Sequence, residues 1–157
     1  MLKQLLEKQK VFNQSLRILA VLSRRGTLNG LTHLMTTILA QLNVFLNRPS
    51  PSKSLQDLGD RWLGMMPPDG QHLFKVEKPT SDTVHTQIHL HCPLRGTGDV
   101  EACYKLMNYD RKLVDAVGGQ LVVLESQANS GKSYCRLALR PKGADVSDLV
   151  PAHQQGG

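Results

Sequence analysis

Aromatic side chains are scarce in this 157-residue chain, at 4% of residues, and its cations are not clustered. Lysine and arginine outnumber aspartate and glutamate by 19 to 13, but the surplus is spread out apart from short pairs such as Arg24-Arg25. A nucleic-acid surface usually combines clustered cations with aromatic rings that stack on bases. The composition therefore argues against a nucleic-acid partner and favours an ordinary basic surface.

Long apolar runs are missing as well. No run approaches the roughly 18 residues that a membrane-spanning helix requires, and the first residues lack the apolar core of a signal peptide. The three cysteines are an odd number and no two have the C-x-x-C spacing of a structural zinc site. We therefore expect no membrane span, reduced thiols and a cytoplasmic location.

The first 70 residues have the periodicity of helices. Apolar residues recur every three or four positions, which predicts helices over about 2–23, 28–46 and 54–66. Because the first two are long and rich in leucine, we expect residues 1–70 to pair with a second copy of the chain as a homodimer.

Alternating apolar residues and turn signals replace this pattern after Pro67-Pro68-Asp69-Gly70. The predicted elements are strands 73–78 and 83–92, a helix 99–117, and strands 120–128 and 133–140, the last two joined by a turn at 129–132. The order of three helices followed by β-β-α-β-β predicts an α+β fold with an antiparallel sheet. Residues 71–140 would form the ligand-binding core of the same domain, and residues 141–157 a flexible tail.

A carboxylate interrupts the apolar stripe of the helix predicted at 99–117. Cys103 and Met107 belong to that stripe, and Asp110 lies on the same face, at i+7 from Cys103. A buried carboxylate is costly unless it is paired or functional, so Asp110 is a candidate site residue. The alternative is a structural role, in which Asp110 bonds a backbone amide or pairs with an arginine.

Glu125 lies on one face of its predicted strand with Leu121 and Val123, and the next strand presents Cys135. Whether Glu125 and Cys135 share a face depends on strand register, which the sequence does not determine. Cys92 has the parity of the apolar residues in strand 83–92, where a buried thiol is an ordinary core residue. The histidines at 85, 89 and 91 alternate with them and are best interpreted as part of a polar, solvent-facing side.

The segment from Cys103 to Cys135 resembles the core of the 4-vinyl reductase domain, which occurs in a bacteriochlorophyll-biosynthesis protein and in the sensor modules of phenol- and xylene-responsive activators. The resemblance is carried by Cys103-Tyr104, Tyr109, Gly118-Gly119, Glu125, Gly131 and Cys135. It implies a hydrophobic ligand pocket near Cys103, Met107, Asp110 and Glu125, beside a structural zinc held by Cys103, Glu125 and Cys135. Where the family has a further cysteine after the glutamate, this chain has Ala128.

A second resemblance is to the L-2-amino-thiazoline-4-carboxylate hydrolase-like family. Its outline is similar to Cys92-Pro93, Asp110, Gly131 and Tyr134-Cys135. It implies a small hydrolase acting on a cyclic C=N or amide substrate, with Cys92 or Cys135 as nucleophile or ligand and Asp110 as general acid/base.

We therefore expect one of three functions. The chain is a domain that binds a hydrophobic or aromatic ligand and serves as a sensor or pathway accessory; or it is a small hydrolase; or it is an adaptor that binds partners through its helices. A cysteine nucleophile needs an imidazole within hydrogen-bond reach, and His89 and His91 are expected to point away from Cys92. This favours the binding domain.

Overall fold

A computed structural model describes residues 8–155 of the chain, which form six α-helices and four strands. In chain order they are α1 (Gln9–Ser23), α2 (Asn29–Asn47), α3 (Leu55–Gly64), β1 (Phe74–Val76), β2 (Val84–Ile88), α4 (Val100–Leu106), α5 (Asn108–Ala116), β3 (Gly119–Glu125), α6 (Gln127–Ser130) and β4 (Cys135–Pro141). The predicted α+β class is confirmed. The predicted start of the first helix, at residues 2–7, lies outside the described residues.

The strands form one antiparallel sheet in the order β1-β2-β4-β3, with Ile88 opposite Cys135 and Leu121 opposite Leu139. Burial alternates along β2, where Val84 and Ile88 are buried and the histidine between them, His85, is partly exposed. This confirms the predicted alternation. Of the described helices, none is both long and apolar enough to traverse a bilayer.

The predicted helix 99–117 is two helices, α4 and α5, which meet at Met107. The ψ angle of Met107 is −2°, which departs from that of a regular α-helix, so the helix is interrupted at this residue. The side chain of Asn108 then reaches α2 and donates hydrogen bonds to the hydroxyls of Thr36 (2.9 Å) and Thr37 (3.1 Å). The break therefore allows the start of α5 to bond laterally to α2, a contact that apolar periodicity does not report.

The end of β3 also differs from the prediction of a strand to residue 128 and a turn at 129–132. A β-bulge lies between Val123 and Glu125, and the chain then forms α6. Ser126 caps this helix by accepting from the backbone N–H of Asn129, whose own side chain accepts from the N–H of Ser126. This reciprocal capping satisfies N–H groups at the start of the helix, which favours a helical turn over a continued strand.

Helix α2 packs with its small residues inward. Thr32, Thr36 and Ala40 are fully buried, because small side chains allow α2 to lie close to α5. The apolar stripe predicted for this helix is divided instead. Met35 packs against the core and Leu42 lines the interior, whereas the exposed members are Leu31, Leu34, Ile38 and Phe45, with exposed fractions from 43% to 66%.

The described part of the predicted flexible tail, residues 141–155, packs back on the sheet. The buried guanidinium of Arg140 donates to both carboxylate oxygens of Asp148, at 2.6 and 2.7 Å. Ala152 is buried, and the side chain of Gln155 donates to the carbonyl of Leu124 (2.9 Å). These contacts connect the segment to β3 and β4.

A glycine in the interior of α3 allows that helix to lie against the sheet. A Cβ at Gly59 would lie 2.6 Å from Cγ1 of Val76 and 3.2 Å from Cγ2 of Val84. We expect Gly59→Ala to lower the free energy of unfolding by about 1–3 kcal/mol, since a β-branched side chain must move to admit the methyl group. Urea denaturation measures the change.

The matched control is Gly30→Ala in α2, where a Cβ would have no neighbour within 4 Å. Alanine favours a helix interior over glycine by up to about 1 kcal/mol, so this variant should keep or gain stability. Equal stability losses in the two variants would contradict the close approach of α3 to the sheet.

Candidate functional site

A cavity of about 160 Å³ lies between the helices and one end of the sheet. Its walls are largely apolar and include Phe12 and Leu16 of α1, Leu39 of α2, and Phe74 and Ile88 of the sheet. Engineered apolar cavities of about 150 Å³ bind benzene in water. The space is therefore large enough for a one-ring ligand.

One side of the cavity is polar. The amide nitrogen of Asn43 donates to the hydroxyl of Tyr109 (2.8 Å) and to the carbonyl of Met65 (3.0 Å), and all three residues line the space. The ring of Tyr109 packs edge-on against Phe12, with 6.0 Å between the centroids. This bonding and packing hold the phenol at the cavity wall.

Asp110, beside Tyr109 in the first turn of α5, is the carboxylate predicted from the sequence. It is 8% exposed and lines the cavity, and its Oδ1 accepts a hydrogen bond from Nε1 of the fully buried Trp62 at 3.0 Å. Burial raises the pKa of Asp110 to about 6, against the opposing effects of the Trp62 hydrogen bond and the charge of Arg111. At neutral pH the cavity therefore contains a largely ionised carboxylate.

The guanidinium of Arg111 does not enter this space. It stacks on the ring of Tyr104, 4.1 Å from the centroid, and donates to the backbone carbonyl of Tyr104. The described residues that line the cavity include no lysine, arginine or histidine. Asp110 therefore has no cationic side chain facing it across the cavity.

Three cysteines, Cys92, Cys103 and Cys135, line the cavity as free thiols. Burial raises the pKa of Cys103 to about 11 and that of Cys135 to about 12, and it also raises the pKa of Cys92. The thiols are thus protonated at neutral pH. Because no described histidine lines the cavity to act as a base, the structure does not support Cys92 as a catalytic nucleophile.

Glu125 is not among the residues that line the cavity, and its contact with a ligand stays a prediction. The bulge after Val123 breaks the alternation of β3, and the carboxylate instead pairs with the Nζ of Lys132 at 2.7 Å. Of the predicted zinc ligands, only Cys103 and Cys135 line the cavity. Within residues 8–155 no three histidine, cysteine or acidic side chains are grouped to hold a metal. The zinc stays a prediction, which metal analysis of the reduced protein would test.

Sequence reasoning missed four site residues: Asn43, Trp62, Tyr109 and Gln127. The side chain of Gln127 is bonded at both ends, with Oε1 accepting from Arg95 Nε (2.7 Å) and Nε2 donating to the carbonyl of Leu90 (2.7 Å), so it positions the wall. Trp62 carried a usable signal, because a buried indole N–H usually needs an acceptor and a buried carboxylate is a good one.

Comparisons with protein-family models, curated proteins and solved structures gave no match for this chain. The resemblances to the 4-vinyl reductase domain and to the thiazoline-carboxylate hydrolase-like family therefore stay predictions. The site must be interpreted from its own geometry.

The raised pKa of Asp110 predicts a stability cost at neutral pH. In the unfolded chain this carboxyl group has a pKa near 4. While it is protonated, Asp110 therefore favours the folded state, and this contribution to the free energy of unfolding is lost as the pH rises through about 6. Relative to Asp110→Asn, which keeps the acceptor for Trp62, the wild type should lose about 2 kcal/mol between pH 4 and 7, since one pKa unit corresponds to about 1.4 kcal/mol and the unfolded carboxyl is already partly ionised at pH 4. Urea denaturation at a series of pH values measures this.

Asp57→Asn is a control with the opposite sign. The hydrogen bond from Arg61 lowers the pKa of the partly exposed Asp57, so the contribution of Asp57 to stability should be present at neutral pH and lost on acidification. A constant difference between wild type and Asp110→Asn from pH 4 to 8 would show that Asp110 has an ordinary pKa.

Proposed function

We propose that the chain is a small-molecule-binding domain whose ligand is hydrophobic or aromatic and occupies the cavity between the helices and the sheet. The observation that carries the proposal is an apolar space of about 160 Å³ with a buried carboxylate in its wall. Small-molecule sites are usually apolar clefts with a few convergent polar groups, and Tyr109 and Asp110 supply them here.

The biological role we propose is sensory or accessory, as the resemblance to the 4-vinyl reductase domain implies. Binding would be read out by the helices, because α1 and α2 contribute one wall of the cavity and also a large part of the outer surface. The three free thiols fit a reducing compartment such as the cytoplasm.

The hydrolase alternative has less support. A carboxyl group with a pKa of about 6 is suited to general acid/base catalysis, which favours Asp110 in that role. However, the buried thiols are protonated, so Asp110 would have to activate water directly. Hydrolysis of a thiazoline carboxylate that is abolished in Asp110→Asn would favour the enzyme over the binding domain.

Ligand binding predicts a saturable effect of one-ring aromatic compounds on stability. Toluene at about ten times its dissociation constant should stabilise the protein by about 1.4 kcal/mol, which raises the unfolding midpoint by roughly 3–5 °C for a chain of this size. Cys103→Leu, which places a larger side chain in the cavity, should weaken the shift. Differential scanning fluorimetry of the reduced protein measures it.

The control is Leu113→Met, a volume-conserving change at a buried residue that does not line the cavity. This variant should respond to toluene as the wild type does. An equal response in Cys103→Leu would show that toluene acts elsewhere.

The outward face of α2 supports the proposed homodimer. The 19 residues of α2 include no lysine, arginine, aspartate or glutamate, and Leu31, Leu34, Ile38 and Phe45 are exposed on one side. Two copies of this face can therefore pack together without placing like charges in contact. An exposed apolar stripe of this kind usually marks an interaction surface.

We expect the wild type to have the native mass of a dimer and the double variant Leu34→Gln/Ile38→Gln that of a monomer, by size-exclusion chromatography with light scattering. Val150→Gln, which replaces an exposed apolar residue near the end of the chain, should stay dimeric. A monomeric wild type at tens of micromolar would contradict the dimer and favour the adaptor alternative.

A further inference from the structure

We propose that the ligand carries a protonated amine, or another small cationic group, on an apolar body, and that the carboxylate of Asp110 binds this cation. This inference rests on the proposed function and specifies the chemical class of its ligand. It follows from the charge balance and the hydrogen bonding of the cavity.

The charge balance favours a cation. Asp110 is the single acidic side chain among the described residues that line the cavity, and no described lysine, arginine or histidine lines it. An ionised carboxylate away from water is costly unless a cation or several hydrogen-bond donors compensate it. The structure supplies part of the compensation, through the N–H of Trp62, the backbone N–H of Asp110 and the charge of Arg111. It leaves the remainder to whatever fills the cavity.

Neighbouring charges do not change this conclusion. Arg111 follows Asp110 in the chain, but its guanidinium is bound to Tyr104 and lies outside the cavity lining. The thiols of Cys103 and Cys135 are held in the neutral form by burial, which raises the pKa of each. The cavity wall therefore has a charge of about −1 above pH 6, which repels an anionic ligand.

Hydrogen bonding identifies where the cation would bind. Oδ1 of Asp110 accepts from Trp62, and the carboxylate also interacts with its own backbone N–H, so its bonding within the protein is local to one side of the group. The hydroxyl of Tyr109 accepts from Asn43, so its oxygen is a second polar atom on the same wall. An ammonium group donates up to three hydrogen bonds, and the carboxylate of Asp110 and the hydroxyl oxygen of Tyr109 can accept them.

The apolar part of the cavity lining determines the remainder of the ligand. Phe12, Leu16, Phe74 and Ile88 offer no hydrogen-bonding side chains, and the volume accepts about one aromatic ring. A ring with a short aminoalkyl arm therefore matches both parts of the cavity. Benzylamine is the simplest probe of that shape.

The experiment compares three probes of one size on the full chain by isothermal titration calorimetry at pH 7.5. Benzylamine is cationic, benzyl alcohol is its neutral analogue, and benzoate is anionic. We expect benzylamine to bind the wild type at least tenfold more tightly than benzyl alcohol, and benzoate to give no binding. In Asp110→Asn the preference for benzylamine should disappear while benzyl alcohol still binds.

Retained binding of benzyl alcohol shows that Asp110→Asn is folded with its cavity intact. Leu113→Met, a change at a buried residue outside the cavity lining, should keep the preference for the amine because the carboxylate and its hydrogen bond remain. Benzyl alcohol binding as tightly as benzylamine, or an amine preference that persists in Asp110→Asn, would overturn the inference and leave the proposed function standing. Failure of all three probes to bind the wild type at millimolar concentration would overturn the proposed function and this inference with it.

Discussion

The hydrogen bond from Trp62 to Asp110 is the interaction on which the arrangement of this fold depends. Trp62 is fully buried in α3 and packs edge-on against Phe74 of β1, 5.8 Å between centroids, while its N–H bonds Asp110 at the start of α5. One side chain thus connects the third helix, the sheet and the paired helices α4 and α5. A charged acceptor strengthens such a bond, and losing either partner would leave a buried polar group unsatisfied.

The same carboxylate opposes the stability of the fold at neutral pH, because the pKa of Asp110 is raised by burial and one indole N–H does not offset that cost. A domain optimised for stability alone would have an amide or an apolar residue here. Retaining a charge beside a cavity is typical of functional sites, where stability is given up for binding or chemistry. Cation binding would complete the compensation, to which Arg111 contributes only in part and the protonated thiols contribute no charge.

Helix periodicity and strand alternation were enough to predict the α+β class, the first three helices, the antiparallel sheet and the presence of Asp110 on a buried face. The sequence patterns failed where a single polar contact, and not apolar periodicity, determines the local structure. Asn108 bonds α2 and separates α4 from α5, and the bulge before Glu125 turns that carboxylate to Lys132. The inward face of α2 was also missed, because burial there follows the small size of Thr32 and not hydrophobicity. Asn43 and Tyr109 meet across 66 positions, and local sequence carries no signal for such a pair.

The most direct test of this account is an NMR titration of the Asp110 carboxyl carbon, with and without saturating benzylamine, using Asp110→Asn to assign the resonance. The account predicts a transition near pH 6 in the free protein, and one displaced to lower pH when the amine is bound, since an adjacent cation favours the ionised carboxylate. A transition near pH 4 that does not respond to the amine would contradict both the raised pKa of Asp110 and its role in binding a cation.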